Sequence, residues 1–220
     1  MSAEQRTGVA VNLKERFFGS PWVYRWLRPL LLGGFDFSNV YKWLNCGNSD
    51  ILVDIGCGFG NALEYVKDFR EYHGFDTSPR AIEWMRSNHN DPRVHLYTRE
   101  VTGADLQALA PTCITMMGLL HHIDDGAATG LLEMLSSTAS LRRIITLDPI
   151  FLRGHCLNNI MCRLDRGHYC RSKKGYQRLI NAAGLSLDAE IWIHPGIPVA
   201  KYFCMGLSPL RPASETFANL

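Results

Sequence analysis

From residue 51 onward the chain alternates short apolar runs with amphipathic stretches, a pattern few architectures accept. Ile51–Ile55, Tyr72–Phe75, Val94–Tyr97, Cys113–Met117 and Arg143–Leu147 read as buried strands. The intervening segments read as helices over Asn61–Phe69, Pro79–Asn88, Ala104–Leu109 and Ala127–Ser136. Strands apolar along their whole length need cover on both faces, and a parallel sheet flanked by helices supplies it. Ser78-Pro79 gives the helix after the second strand a capping hydroxyl followed by a ring with preset φ. After Asp148-Pro149 the regularity loosens until Lys173, where a helix is expected to run to Ala183 and stop at Gly184. Leu185–Ile193 and Val199–Leu207 then read as two strands separated by Pro195, Gly196 and Pro198, an antiparallel hairpin at one end of the sheet.

The 220 residues suffice for one substantial core with terminal additions, but not for a second full domain. The N-terminal region is aromatic, and Ser20-Pro21 opens a helix carrying Val23, Trp26, Leu27, Leu30 and Leu31 at helical spacing before Gly33-Gly34 ends it. A second short helix is expected over Ser38–Asn45. Net charge is +2, too near neutral to indicate a nucleic-acid partner. The start lacks a secretory pattern, and no apolar run approaches the roughly 20 residues of a membrane span, so a cytoplasmic location is expected. The seven cysteines are scattered and read as reduced thiols. Cys156, Cys162 and Cys170, with His155 and His168 nearby, lack the close paired spacings of a zinc site, so no metal is expected.

Gly56, Gly58 and Gly60 follow a strand and precede a helix, where backbone must turn sharply and approach a ligand. Asp76 lies twenty residues past Gly56, directly after the second strand, placed to accept both hydroxyl protons of a ribose. Nicotinamide dinucleotides and S-adenosylmethionine both suit such a pair. The third glycine comes one residue early for a pyrophosphate loop, and Asp54 adds negative charge where phosphates would sit. The cationic sulfonium of the methyl donor tolerates that acid better.

Val53-Asp54-Ile55-Gly56-Cys57-Gly58-Phe59-Gly60 resembles the first motif of class I S-adenosylmethionine-dependent methyltransferases. Val94 to Val101 is similar to that family's third-strand segment, and Cys113 to Asp125, with its Leu-His-His-Ile loop, to the fourth strand of the small-molecule enzymes. The resemblance implies a Rossmann-like, three-layer α/β fold: a seven-stranded, mostly parallel sheet with helices on both faces and an antiparallel C-terminal strand. It implies an N-terminal helical cap (1–48), a donor-binding domain (49–208) with a substrate lid near 150–172, and a tail (209–220). It implies further that Asp54, Gly56, Cys57, Gly58, Gly60, Asp76, Thr77, Glu100, Val101 and Met117 hold S-adenosylmethionine, with Asp76 on ribose, Glu100 on the adenine amine and Val101 beside the ring.

Methyl transfer to a hydroxyl or acidic carbon gains from a general base, and His121 and His122 follow the fourth strand at its ligand-binding end. Asp165 to Arg171 resembles the lid of some small-molecule methyltransferases, which implies that Tyr169 and Arg171 lie over the acceptor; the family's N-terminal helices close over the donor and help select the acceptor, a role the resemblance gives here to Phe17, Trp22 or Tyr24. Arg163, Arg166, Arg171, Lys173, Lys174 and Arg178 stand against Asp165 alone, a density suited to an anionic small-molecule acceptor. A non-catalytic module that binds the donor, and an RNA- or protein-directed methyltransferase docking through that basic segment, are the alternatives.

Overall fold

The computed structural model describes residues 37–165, 167–193 and 201–211. The expected helix beginning at Ser20-Pro21, Phe17, Trp22, Tyr24, Arg166, the turn at Pro195 to Pro198 and residues 212–220 of the tail lie outside them.

Parallel strands β1 (Ile51–Ile55), β2 (Glu71–Phe75), β3 (Val94–Tyr97), β4 (Cys113–Met117) and β5 (Arg143–Phe151) form the centre of the sheet. The order is β3-β2-β1-β4-β5-β8-β7, with β8 (Tyr202–Pro209) antiparallel to both β5 and β7 (Leu185–Ile193). Seven strands make this main path, as expected; an eighth, β6 (Arg171–Ser172), pairs with the end of β5 through Ile150 and Phe151.

Side chains alternate along each strand and so feed two cores. Val53, Ile55 and Ile144 enter one, closed by helices α4 (Gly103–Leu109), α5 (Asp125–Ser136) and α7 (Lys173–Ala182) through Leu106, Leu132 and Tyr176. Leu52, Ile145 and Leu147 enter the other, closed by α1 (Ser38–Lys42) and α3 (Pro79–Asn88) through Val40, Ile82 and Met85. Each fully buried side chain of this size contributes about 1.5–3 kcal/mol by leaving water.

Three elements differ from expectation. The helix after the glycine loop, α2, covers only Ala62–Tyr65, because buried Val66 turns extended (φ −102°, ψ 113°) to bring Phe69 into the core ahead of β2. A single turn carries little of the positive helix-end potential that a longer helix would place behind the loop. β5 continues past Leu147 to Phe151, the Ile150 N–H donating to the Lys201 carbonyl and Pro149 standing opposite Tyr202. The irregular stretch after it contains a helix, α6 (Cys156–Leu164), which begins at His155 without a side-chain cap.

Candidate functional site

Strand order reverses at β1, with β2 and β3 on one side and β4 and β5 on the other. The loops leaving the carboxyl ends of β1 and β4 therefore diverge and open a crevice there. The glycine loop forms one wall and residues 118–123 the other. The walls meet at Leu119, whose Cδ1 would stand 3.3 Å from a Cβ on Gly56; a Cβ on Gly60 would stand 2.6 Å from Met85 Cε of α3. Gly56 and Gly60 have φ of +73° and +77°, a region that strains any side-chain-bearing residue.

The loop is welded to the end of β2. Gly56 and Cys57 N–H groups donate to the Phe75 carbonyl (2.8 and 3.0 Å), and Gly58 N–H donates to Asp76 Oδ2 (2.8 Å). Ser78 N–H donates to Asp76 Oδ1 (2.8 Å), so each carboxylate oxygen of half-buried Asp76 carries one protein donor. A carboxylate offers about four acceptor positions, which leaves one on each oxygen for an incoming pair of hydroxyls. Thr77 beside it is exposed.

Asp54 and Cys57 sit beneath the loop rather than in the crevice. Buried Asp54 accepts hydrogen bonds from Tyr72 Oη (2.7 Å) and Thr115 Oγ1 (2.6 Å). Burial pushes its carboxyl up to about 6, Asp76 adds to the rise, and the two hydroxyls oppose it. The Cys57 thiol is buried against Gly74, so Cys57 faces the crevice only through its backbone. Beyond β3, Glu100 is exposed and Val101 packs partly against the core. Arg99 holds this loop, bonding Asp105 (2.6 and 2.7 Å) while its guanidinium lies over the Phe75 and Tyr97 rings. Met117 ends β4, partly buried.

The two histidines, adjacent in sequence and in space, differ in their surroundings. They occupy a 3-10 turn, Leu120–His122, with rings 4.1 Å apart. His121 is buried and clamped between two acids: Nδ1 lies 2.7 Å from Asp148 Oδ1, and Nε2 lies 3.2 Å from Asp165 Oδ1. Asp148 itself is inaccessible and accepts further from the His121 N–H (3.0 Å) and Thr146 Oγ1 (2.8 Å). Burial alone would disfavour the imidazolium, but Asp148 and Asp165 outweigh it and hold His121 up at about 9. His122 is exposed.

The expected lid is fastened to the same turn. Tyr169 N–H donates to the His121 carbonyl (3.0 Å), and its side chain is exposed. Arg171, expected over the acceptor, is buried and faces inward. It donates to Asp125 Oδ1 (2.7 Å) and to the carbonyls of Leu120 (2.6 Å) and Ile123 (2.8 Å), so it shapes the histidine turn. Gly167 makes the close approach possible: a Cβ there would stand 2.1 Å from His121 Cδ2 and 2.4 Å from its carbonyl oxygen. Gly167→Ala is expected to lower stability by about 1–3 kcal/mol by prising the lid off the turn, measured by denaturant unfolding.

Sequence reasoning missed Asp148 and Asp165 as partners of His121; an acid closing a strand beside a histidine loop was the available signal. Among the described residues, the His/Cys/Asp/Glu groups whose ligand atoms lie within 4.8 Å of one another are Cys46/Asp50/Cys113, Glu71/His73/His95 and His121/His122/Asp165. The cysteines of the lid do not form one. No described helix is long and apolar enough to cross a membrane.

Residues 52–139 match a family model described as a methyltransferase domain. No curated protein matches the chain by sequence. Solved structures match as a fold. Magnesium protoporphyrin IX methyltransferase from Synechocystis PCC 6803, with bound SAH, superposes with a TM-score of 0.62 at 15% identity, covering 90% of this chain and 99% of that one. The YcgJ protein of Bacillus subtilis gives 0.62 at 14% identity, covering 80% and 98%. Geranyl diphosphate C-methyltransferase from Streptomyces coelicolor A3(2), in complex with Mg2+, geranyl diphosphate and S-adenosyl-L-homocysteine, gives 0.59 at 14%, covering 78% of each chain.

Proposed function

We propose, from the premise that residues 52–139 form a methyltransferase domain with the S-adenosylmethionine-dependent fold, that this chain methylates a small-molecule acceptor at oxygen or carbon. One observation carries the donor site: Asp76 is held by Gly58 and Ser78 N–H groups with an acceptor position left on each oxygen, directly beside a loop of three glycines. That pair of acceptor positions fits a ribose diol next to a close backbone approach. When bound, the donor supplies a methyl carbon already activated by its sulfonium.

In this reading Gly56, Gly58 and Gly60 give the donor room, and Asp76 grips its sugar. Thr77, Glu100, Val101 and Met117 surround the base and the approach to it. Asp54 acts from below the loop by fixing Tyr72 and Thr115, and Cys57 contributes main chain alone. Positioning and exclusion of water then supply much of the rate.

His122 is the general base of this proposal, and His121 is not. A side chain held at about 9 keeps its proton at neutral pH and has no vacancy for another. His121 instead positions the turn, with Asp148, Asp165 and Arg171 locking it from three sides. Tyr169, exposed at the lid, is placed to line the acceptor's approach. That two enzymes of the same fold are named for acting on a porphyrin and on a prenyl diphosphate supports a small-molecule acceptor. With an acceptor found by transfer of labelled methyl into fractionated small molecules, His122→Gln is expected to lower kcat about 10²–10⁴-fold at unchanged donor affinity. Turnover equal to wild type would remove His122 from the chemistry.

A further inference from the structure

Helix α6, at the lid, is inverted relative to an ordinary surface helix, whose apolar stripe faces the core. Its inward face is polar and tied down. Asn158 donates to the Ile150 carbonyl (2.7 Å) and accepts from the Lys201 N–H (2.6 Å), while the Cys162 thiol donates to the Ile150 carbonyl (3.5 Å). Its outward face carries Leu157, Ile160, Met161 and Leu164, spaced i, i+3, i+4, i+7 and therefore one continuous stripe. These side chains are 63, 50, 39 and 74% exposed. Single exposed apolar residues are unremarkable, but five of the seven large hydrophobic side chains exposed among the described residues lie between Leu157 and Tyr169.

Charge identifies what the stripe meets. Between residues 149 and 187 there are seven Arg or Lys and one acid, in a chain whose net charge is only +2. The one acid, Asp165, is turned inward onto His121 and the Gly167 N–H. Arg153, Arg163, Lys174 and Arg178 are exposed and pair with no carboxylate among the described residues. An apolar ridge flanked along the chain by unpaired Arg153 and Arg163 is repelled by a second copy of itself. It is likewise poorly matched to the chain's own first 36 residues, which hold five Arg or Lys against three acids. It is complementary to a surface that is apolar within and negatively charged at its rim.

We propose that α6 is an interfacial docking helix, seating Leu157, Ile160, Met161 and Leu164 in an anionic lipid bilayer while Arg153 and Arg163 engage its phosphates. The chain binds the membrane from one side through this face, without crossing it. The inference does not depend on methyl transfer, because the stripe and its charges are present whatever the acceptor. Since α6 follows β5 at the crevice end of the sheet, docking also brings the lid to the bilayer.

The test is flotation of the full chain with phosphatidylcholine vesicles, with and without phosphatidylglycerol. Binding is expected to the anionic vesicles, to weaken as salt rises, and to fall about tenfold or more in a Leu157→Gln, Leu164→Gln double variant. Both positions are exposed, so the variant should keep the wild-type Tm. An Arg153→Glu, Arg163→Glu variant should lose the preference for anionic vesicles. A chain that stays in the aqueous phase, or a leucine variant that floats as wild type does, overturns the proposal. So does a concentration-dependent dimer that the leucine substitutions abolish, which would give the face to a second copy.

Discussion

Asp76→Ala is expected to raise the Kd for S-adenosylmethionine about 10²–10⁴-fold in titration calorimetry. A hydrogen bond to a charged acceptor contributes about 1.5–3 kcal/mol, and two ribose hydroxyls are lost together. The fold should survive, because Asp76 is half-buried and water can reach the Gly58 and Ser78 N–H groups it leaves behind. Asp76→Asn should fall between the two, since the amide keeps one acceptor oxygen but presents a donor where the other stood. Unaltered affinity in the alanine variant would mean that the acid at the tip of β2 serves only to anchor the glycine loop.

The second large effect is on stability against pH. His121 is held at about 9 in the folded chain against an ordinary 6.5, so the folded state binds this proton more tightly than the unfolded one. The resulting stabilisation is complete below 6.5 and disappears as pH rises through 9. The gap corresponds to about 3 kcal/mol. Denaturant unfolding should show that loss between pH 6.5 and above 9 in wild type, and a flat profile over the same window in His121→Gln. Asp54 leaves its trace elsewhere: its raised carboxyl destabilises the fold as pH rises from 3.8 through about 6, below the histidine window. If His121→Gln keeps the wild-type slope, the clamp between Asp148 and Asp165 is not the origin of the dependence.

Much of the sheet was legible because its strands are short and bounded by turn residues. β1, β3, β4 and β7 begin and end where the apolar runs do, and Ser78-Pro79 fixes the start of α3, the Ser78 hydroxyl accepting from the Ala81 N–H. The misses share a cause, namely packing partners distant in sequence. α2 ends at Val66 because Phe69 must reach the core, a demand no local propensity states. α6 was hidden because its periodic apolar residues point outward and its first turn lacks a cap.

The site divides the same way. The glycine loop and Asp76 stand where the motif spacing placed them, since both sit at strand ends in adjacent, register-matched strands: Asp54 pairs with Gly74 and Ile55 with Phe75. His121 and His122 could not be told apart along the chain, because the distinction lies in Asp148, within a different strand, β5, and in Asp165 on the lid. Arg171 illustrates the converse error. Its charge suggested an anionic ligand, yet its guanidinium is matched to carbonyls of the turn and to Asp125.

A crystal structure with S-adenosylhomocysteine tests the central claim most directly. The account predicts the nucleoside across the carboxyl ends of β1 and β2, its ribose hydroxyls within about 3 Å of the two Asp76 oxygens and its amino acid end against Gly56 to Gly60. Density for the nucleoside away from this loop, or a sugar that leaves Asp76 untouched, would contradict it.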